Sequence, residues 1–299
     1  MTTTRLVPDD PQYPELLGAV PSPPALDVRG ALGADDSLAI AIVGSRRASA
    51  YGAAVAETLA AELAARGVTI VSGLARGIDT VAHRAALEAG GRTIAVLGCG
   101  IDVVYPSENR SLARAIEARG ALVSQFPRTA PPLAGFFPVR NRTIAGLALG
   151  VVVVEAAERS GALITAGHAG DLGREVFAVP GRLTDATSRG ANRLIQDGAK
   201  LVQDWTDVVQ ELPDRWRRAL QPCAAAAIDA GAPSVESEEG RLLELLRVEE
   251  PQHIETVIAR SGLDAARVGA ALVGLELSGR ARQLAGQRWI AVGARARRA

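Results

Sequence analysis

Arginines, glycines and small hydroxyl residues recur in short loops where apolar segments end, and together they suit the gripping of phosphate. Gly44, Ser45 and Arg46 follow SLAIAIV (37–43), and Gly73, Arg76, Gly77 and Asp79 lie in SGLARGID (72–79), directly after VTIV (68–71). Arg140, Asn141 and Arg142 stand together ahead of the apolar run TIAGLALG, and Ser160, Gly161 and Thr165 belong to SGALIT. Gly181 and Asn192 complete the set. A guanidinium holds a phosphate through two parallel donors. Glycine permits tight turns and close backbone approach. A helix N-terminus adds unpaired amides and the positive end of its dipole. Asp79 is placed to cap the helix after it and equally to brace an arginine.

Other chemistries lack their residues. A dinucleotide site needs Gly-x-Gly-x-x-Gly and an acid closing the second strand, and a Walker loop needs Lys-Ser/Thr. Neither pattern occurs, and the second strand ends in Ser72-Gly73. His83 and His168 sit singly in helical stretches, and no paired His or Cys spacing suggests a metal. Glu155, at a strand end, is the best candidate acid, but no Ser-His-Asp order or carboxylate pair accompanies it. Neither cofactor nor metal is expected. Cys99 and Cys223 are far apart, which fits a reducing compartment and no disulfide framework.

These loops need a scaffold that brings strand ends together. From 37 to 212 the chain alternates near-continuous apolar runs with helical stretches, as buried parallel strands and their crossovers do. Helices are predicted over 52–66, 79–89, 109–119, 141–149, 162–172 and 190–197. Strands are predicted over 37–43, 68–71, 92–97, 121–126, 150–156, 175–179 and 200–202. The expected fold is α/β, an extended Rossmann-like, doubly wound, mostly parallel sheet whose ligand crevice lies at the strand carboxyl ends. Pro138 places the Arg140–Arg142 triplet at a helix N-terminus. Residues 1–36 hold six prolines and read as an extended, irregular lead-in, and 213–236 read as an Ala/Pro/Gly linker. Residues 237–299 read as a small winged-helix module, three helices and a hairpin turning at Ala285-Gly286. Its expected recognition helix, VGAALVGLEL, has no Arg, Asn or Gln to read bases. That favours protein contact or packing over DNA reading.

Composition limits the partners. The 299 residues carry 33 basic and 33 acidic side chains, so overall charge drives no polyanion binding and any nucleic-acid contact needs a local patch. Aromatic residues are 3% of the chain, which leaves Tyr51, Tyr105, Phe136 and Phe137 as candidate stacking surfaces for bases. No apolar run reaches the roughly 18 residues of a membrane span, and the first residues lack a signal-peptide apolar region. The expectation is a cytoplasmic protein without a membrane partner.

GSR (44–46), SGLARGID (72–79), LGCGIDVVYPSEN (97–109), FPVRNRTIAGL (137–147), VVEAAERSGALITAGHA (153–169) and REVFAVPGRLTDATSRGANRLIQDGA (174–199) resemble, in order, the motifs of the DNA-processing protein family DprA/Smf. YPELLGAVPSPPALDVRG (13–30) resembles the stretch before that family's core, and 237–294 resembles its winged-helix module more weakly. The resemblance implies sequence-independent binding of single-stranded DNA, protection of incoming strands in natural transformation, loading of a RecA-type recombinase, and no catalytic activity. It carries phosphate contact to the GSR loop, Arg76-Gly77, the Arg-Asn-Arg triplet and the SGALIT turn. It also implies a homodimer, through GANRLIQDGAKLV (190–202) with Leu194 and Ile195. Two departures stand out. Gln125 in SQFP replaces the family's usual acid, and 36 residues are too few for the helical module that many members carry before the core. Two other readings remain. One is an enzyme on nucleoside monophosphates, although SGALITAGHAG lacks the acid of the phosphoribohydrolase motif. The other is a duplex-binding regulator acting through the winged helix.

Overall fold

The computed structural model describes residues 3–221, 237–247, 250–277, 280–284 and 286–291. Two compact units divide the chain, Met1–Cys223 and Ala224–Ala299.

The first unit is built on a nine-stranded sheet. Its centre is β3 (Ala39–Val43), flanked on one side by β4 (Thr69–Ser72), β5 (Thr93–Val96) and β6 (Ala121–Ser124), and on the other by β7 (Gly150–Val153), β8 (Glu175–Ala178) and β9 (Lys200–Leu201). These seven run parallel. Alternation along β3 explains the two layers of helices. Ala39, Ala41 and Val43 face α5 (Phe136–Gly146), α6 (Gly161–Asp171) and α7 (Arg189–Gln196). Ile40 and Ile42 face α2 (Ala50–Ala64), α3 (Ile78–Glu88) and α8 (Trp205–Gln210). A smaller cluster seats α4 (Arg110–Arg119) through Leu112, Ala113 and Ile116 on β5 and β6. Both sheet faces are covered, so the strands are apolar on both faces. The doubly wound α/β fold read from the sequence is the fold observed.

Three local expectations change. The proline-rich lead-in supplies β1 (Thr4–Leu6), α1 (Glu15–Gly18) and β2 (Leu26–Gly30), and the two strands extend the sheet antiparallel beyond β6. Its prolines stand outside those strands, so no ladder donor is lost. Buried Leu6, Leu26 and Val28 attach it to the core. The stretch read as linker opens with α9 (Asp214–Ala219), and 222–236 lie outside the described residues. Finally, α5 begins at Phe136 and takes Pro138 into its first turn. The first amides of a helix have no intrahelical acceptor, so proline there removes nothing.

The second unit has α10 (Glu238–Leu245), α11 (Ile254–Ser261) and α12 (Ala265–Leu277) on a three-stranded sheet ordered β10 (Gln252–His253), β12 (Arg288–Ala291), β11 (Ala281–Leu284). Leu242, Leu272, Leu275 and Trp289 fill its core. The hairpin turns through Gly286 and Gln287, both at positive φ, while Ala285 of the expected turn lies outside the described residues. This is the winged-helix arrangement expected from sequence. No described helix is long and apolar enough to cross a membrane.

Candidate nucleic-acid interface

The loops after β3, β4 and β5 meet the first turns of α5 in one small crevice. Arg46, Gly73, Ala75, Arg76, Gly98, Tyr105, Pro106, Phe137 and Arg140 line it. The β3 and β4 loops are fastened to each other, since the Ile78 amide donates to the Ser45 carbonyl at 3.1 Å. Gly77 has φ +73°, and a Cβ there would stand 2.2 Å from that same carbonyl. Only glycine permits both the backbone turn and the close approach.

Phe137 is the centre of the crevice. The Arg46 guanidinium carbon lies 5.0 Å from its ring centroid and that of Arg140 5.9 Å. Tyr105 tilts against the same ring at 6.1 Å between centroids and is 40% exposed. A side chain at Gly98 would run into Phe137, at 2.7 Å from its ring. Cations over ring faces and rings within reach of solvent are the two elements of a stacking site for nucleobases.

The three arginines are held differently. Arg140 is buried, and its Nη1 donates to the carbonyls of Gly73 and Val96. Burial pulls its pKa down to about 10, against the opposing pull of Asp79. Asp79 does not cap α3. Its Oδ2 accepts the amides of Gly73 at 3.1 Å and Ala75 at 3.3 Å, so it braces the loop that Arg140 holds from the other side. Burial raises the Asp79 carboxyl's pKa, and Arg140 and those amides work against the rise. Arg46 is exposed at the rim. Arg76 is also exposed and is ion-paired with Glu108 through Nε, which raises its own pKa and lowers that of the carboxylate.

The Arg140–Arg142 triplet splits: the Arg140 Nε donates to the Asn141 Oδ1 at 3.2 Å, and Arg142 stands apart. The triplet lies in the second turn of α5 because the helix starts earlier than Pro138 suggested. Arg140 points into the crevice floor. Asn141 is buried and donates to the Gly161 carbonyl at 3.1 Å, and Arg142 turns away to donate to the Pro21 carbonyl at 3.2 Å. Two of the four rings considered for stacking are engaged elsewhere. Tyr51 donates to the Pro180 carbonyl at 2.9 Å, and Phe136 stacks on Phe126 at 4.1 Å.

Over β7 and β8 the polar groups of the expected rim bond to one another. The Glu155 carboxylate accepts the Ser49 amide at 3.0 Å and the Ser49 hydroxyl, which fixes the start of α2. Asn192 donates to the Gly181 carbonyl and accepts the Gly181 amide, both at 3.0 Å. Ser160 caps α6, and Thr165 is buried with its hydroxyl directed at the Gly161 carbonyl. Gly161 itself is exposed. Gln125 of the SQFP element accepts the Thr143 hydroxyl and so ties the end of β6 to α5. Sequence reasoning did not find Glu108 as the partner of Arg76, nor Gly98 as the space for Phe137. Both lie in the LGCGIDVVYPSEN loop, whose Gly-Cys-Gly start was the available signal.

Residues 4–213 match the model of the family described as DNA recombination-mediator protein A, and 225–287 match the DprA winged helix domain. Protein Smf of Escherichia coli is 49% identical over 211 residues, which is 70% of this chain and 56% of that protein, so the chain spans just over half of that relative. Protein Smf of Synechocystis is 36% identical over 95% of this chain and 79% of its own length. Among solved structures, DNA processing protein A of Streptococcus pneumoniae superposes with a TM-score of 0.66 at 44% identity, over 70% of this chain and 74% of that one. The protein of the same name from Helicobacter pylori, described for its single-stranded DNA binding mode, gives 0.62 at 30% identity, over 70% of this chain and 94% of its own.

Proposed function

This chain belongs to the family of DNA recombination-mediator protein A, the DprA/Smf family, and on that premise we propose that its first unit binds single-stranded DNA without sequence preference in the crevice over β3, β4 and β5. One observation carries the reading: Arg46 and Arg140 both stand over the Phe137 ring, with Tyr105 beside it and Arg76 at the rim. Phosphates meet the exposed guanidiniums and bases stack on the rings, so no base edge is read. The H. pylori relative is described for its single-stranded DNA binding, which supports the choice of ligand.

In this proposal the protein acts in the cytoplasm, protects strands taken up in natural transformation and helps load a RecA-type recombinase on them. It does so as a homodimer and without covalent chemistry. The dimer forms beside the edge strand β9, where half-buried Leu194 lines a groove with Leu163, Val176 and Lys200 and half-buried Ile195 is its neighbour on α7.

Fluorescence anisotropy of a labelled oligo-dT, for the wild type and Arg46→Ala at two salt concentrations with a duplex competitor, tests the placement. The expected result is salt-sensitive binding that single strands outcompete more readily than duplex and that weakens about tenfold or more in the variant. Equal binding by both proteins, or equal competition by duplex, overturns it.

A further inference from the structure

Charge in the second unit is divided sharply along the sequence. Residues 237–279 carry eight carboxylates against four arginines, whereas 280–299 carry six arginines and no carboxylate. The division coincides with a structural boundary, because the helices lie in the first stretch and the hairpin of β11 and β12 in the second.

Register puts the hairpin's cations on one face. Ala281, Gln283, Trp289 and Ala291 pair across the strands, and three of them, Ala281, Trp289 and Ala291, are buried against the helices. The alternate positions, Arg282 paired with Ile290 and Leu284 paired with Arg288, form the opposite, outer face. Arg282 and Arg288 are exposed and diagonal neighbours, roughly 7–8 Å apart at the backbone. Arg280 precedes them at the start of the hairpin. Among the described residues no ion pair takes up Arg280, Arg282 or Arg288. In the helical stretch Arg247 and Arg267 are paired with Glu250 and Glu238. Arg241 and Arg260 are also without an ion pair among the described residues but stand on separate helices, so only the hairpin groups its free cations on one face.

Helix α12 offers nothing comparable. Its exposed positions are Ala265, Ala266, Arg267, Ala270, Val273 and Glu276, and Arg267 is already engaged by Glu238. A helix with that surface makes no specific contact to base edges.

We propose that the second unit is a separate, sequence-independent duplex-DNA contact, made by the outer face of the β11–β12 hairpin through Arg282 and Arg288 with Arg280, and not by α12. Duplex is the partner that fits best. It presents about one negative charge per 1.7 Å of axis in a regular array, and a rigid hairpin holds its cations at fixed spacing. The contact is to phosphates only, since guanidiniums without base-reading companions position a protein but do not specify sequence.

The test uses the full chain and three variants, Arg282→Ala/Arg288→Ala, Arg282→Lys/Arg288→Lys and Arg46→Ala, with a mixed-sequence duplex and a short oligo-dT as separate probes. The alanine pair is expected to weaken duplex binding about tenfold at moderate salt and to reduce the slope of log affinity against log salt by about 2, near 0.9 for each phosphate left without its cation. Its binding to oligo-dT stays at the wild-type value. The lysine pair keeps the charge and stays within about threefold of wild type on duplex, which separates loss of the cations from loss of the fold. Arg46→Ala shows the converse pattern, losing oligo-dT and keeping duplex, so a failure of the crevice reading is seen independently. Unchanged duplex affinity and slope in the alanine pair overturns the proposal. So does an equal loss on both probes, and so does polyglutamate competing with duplex as well as unlabelled duplex does, which would make the hairpin a site for acidic protein.

Discussion

The two halves of the strand-end rim are built from the same residue types and end in opposite conditions. Over β7 and β8, Glu155 is taken up by Ser49, Asn192 by Gly181 and Thr165 by Gly161. Over β3, β4 and β5, Arg46, Arg76 and Tyr105 keep exposed surfaces around a ring that no other aromatic covers face to face. A loop rich in donors becomes a site only where its polar groups are not already paired internally, because buried polar groups find partners almost without exception. What keeps the first half open is a layer of buried charge beneath it, Arg140 and Asp79, which fixes the loop backbone and leaves the outer arginines at the surface.

The largest effect is therefore expected at that layer. Arg140→Ala removes the donors on the Gly73 and Val96 carbonyls and strands Asp79 in the core. A loss of about 3–5 kcal/mol is expected in urea unfolding, with oligo-dT binding lost as the Gly73–Ala75 loop relaxes. The loss should grow with pH. Asp79 is already raised, and without Arg140 it rises further, so the folded variant prefers the protonated carboxyl that high pH removes. An Arg140→Ala protein of wild-type stability would show that the two halves do not differ in this way.

Acid probes the same layer in the wild type. His83 lies buried behind β4 and β5, and its pKa is pulled down to about 3, first by burial and then by the charge of Arg140. Thr93 donates its only hydroxyl proton to the Ile70 carbonyl, so at 2.6 Å it is His83 Nδ1 that donates to Thr93, and Nε2 is left without a partner. A ring held neutral in the fold but protonated near pH 6.5 when unfolded contributes stability fully above that pH. That stability is lost as pH falls towards 3, with a slope of up to about 1.4 kcal/mol per pH unit. His83→Leu should flatten this part of the stability profile, and an unchanged slope in the variant would assign the acid sensitivity to other groups.

On the other half the expectation reverses. Asn192→Ala removes both bonds that hold Gly181 and should cost about 1–3 kcal/mol of stability. Its oligo-dT affinity should match wild type, because the clamp serves the fold. A variant that keeps its stability and loses DNA would extend the site across β7 and β8 and erase the contrast.

Much of this is legible from residue types. The strands are visible as apolar runs, and Arg46, Arg76, Arg140, Tyr105 and Phe137 all stand out by type and position in the sequence. What is not legible is direction and partnership. Reading Pro138 as a boundary puts Arg140, Asn141 and Arg142 on one helix end, whereas the second turn of α5 buries Arg140 and Asn141 side by side and sends Arg142 away from them. Tyr51 and Phe136 match Tyr105 and Phe137 in type, and only long-range packing against Pro180 and Phe126 separates them. The lead-in strands escape notice because β2 pairs with β6, which is remote in sequence, and β1 is held only through β2.

The smallest and most discriminating effect is expected at Glu108, which stands 32 residues from its partner Arg76 and shares an exposed ion pair with it. If the open half of the rim is a phosphate site, this carboxylate competes with the ligand for one of its cations, and a strand that reaches Arg76 must displace it. Glu108→Gln keeps the size and removes the charge, so oligo-dT binding should tighten, by about two- to fivefold given how weak exposed pairs are. The salt dependence should steepen by up to about 0.7, the value of one more contact to a single strand. Stability should not change. A purely structural pair predicts the reverse, unaltered affinity with a small loss of stability. Measured beside Asn192→Ala, this variant therefore compares the halves with opposite signs, one side chain whose removal strengthens binding and one whose removal weakens only the fold.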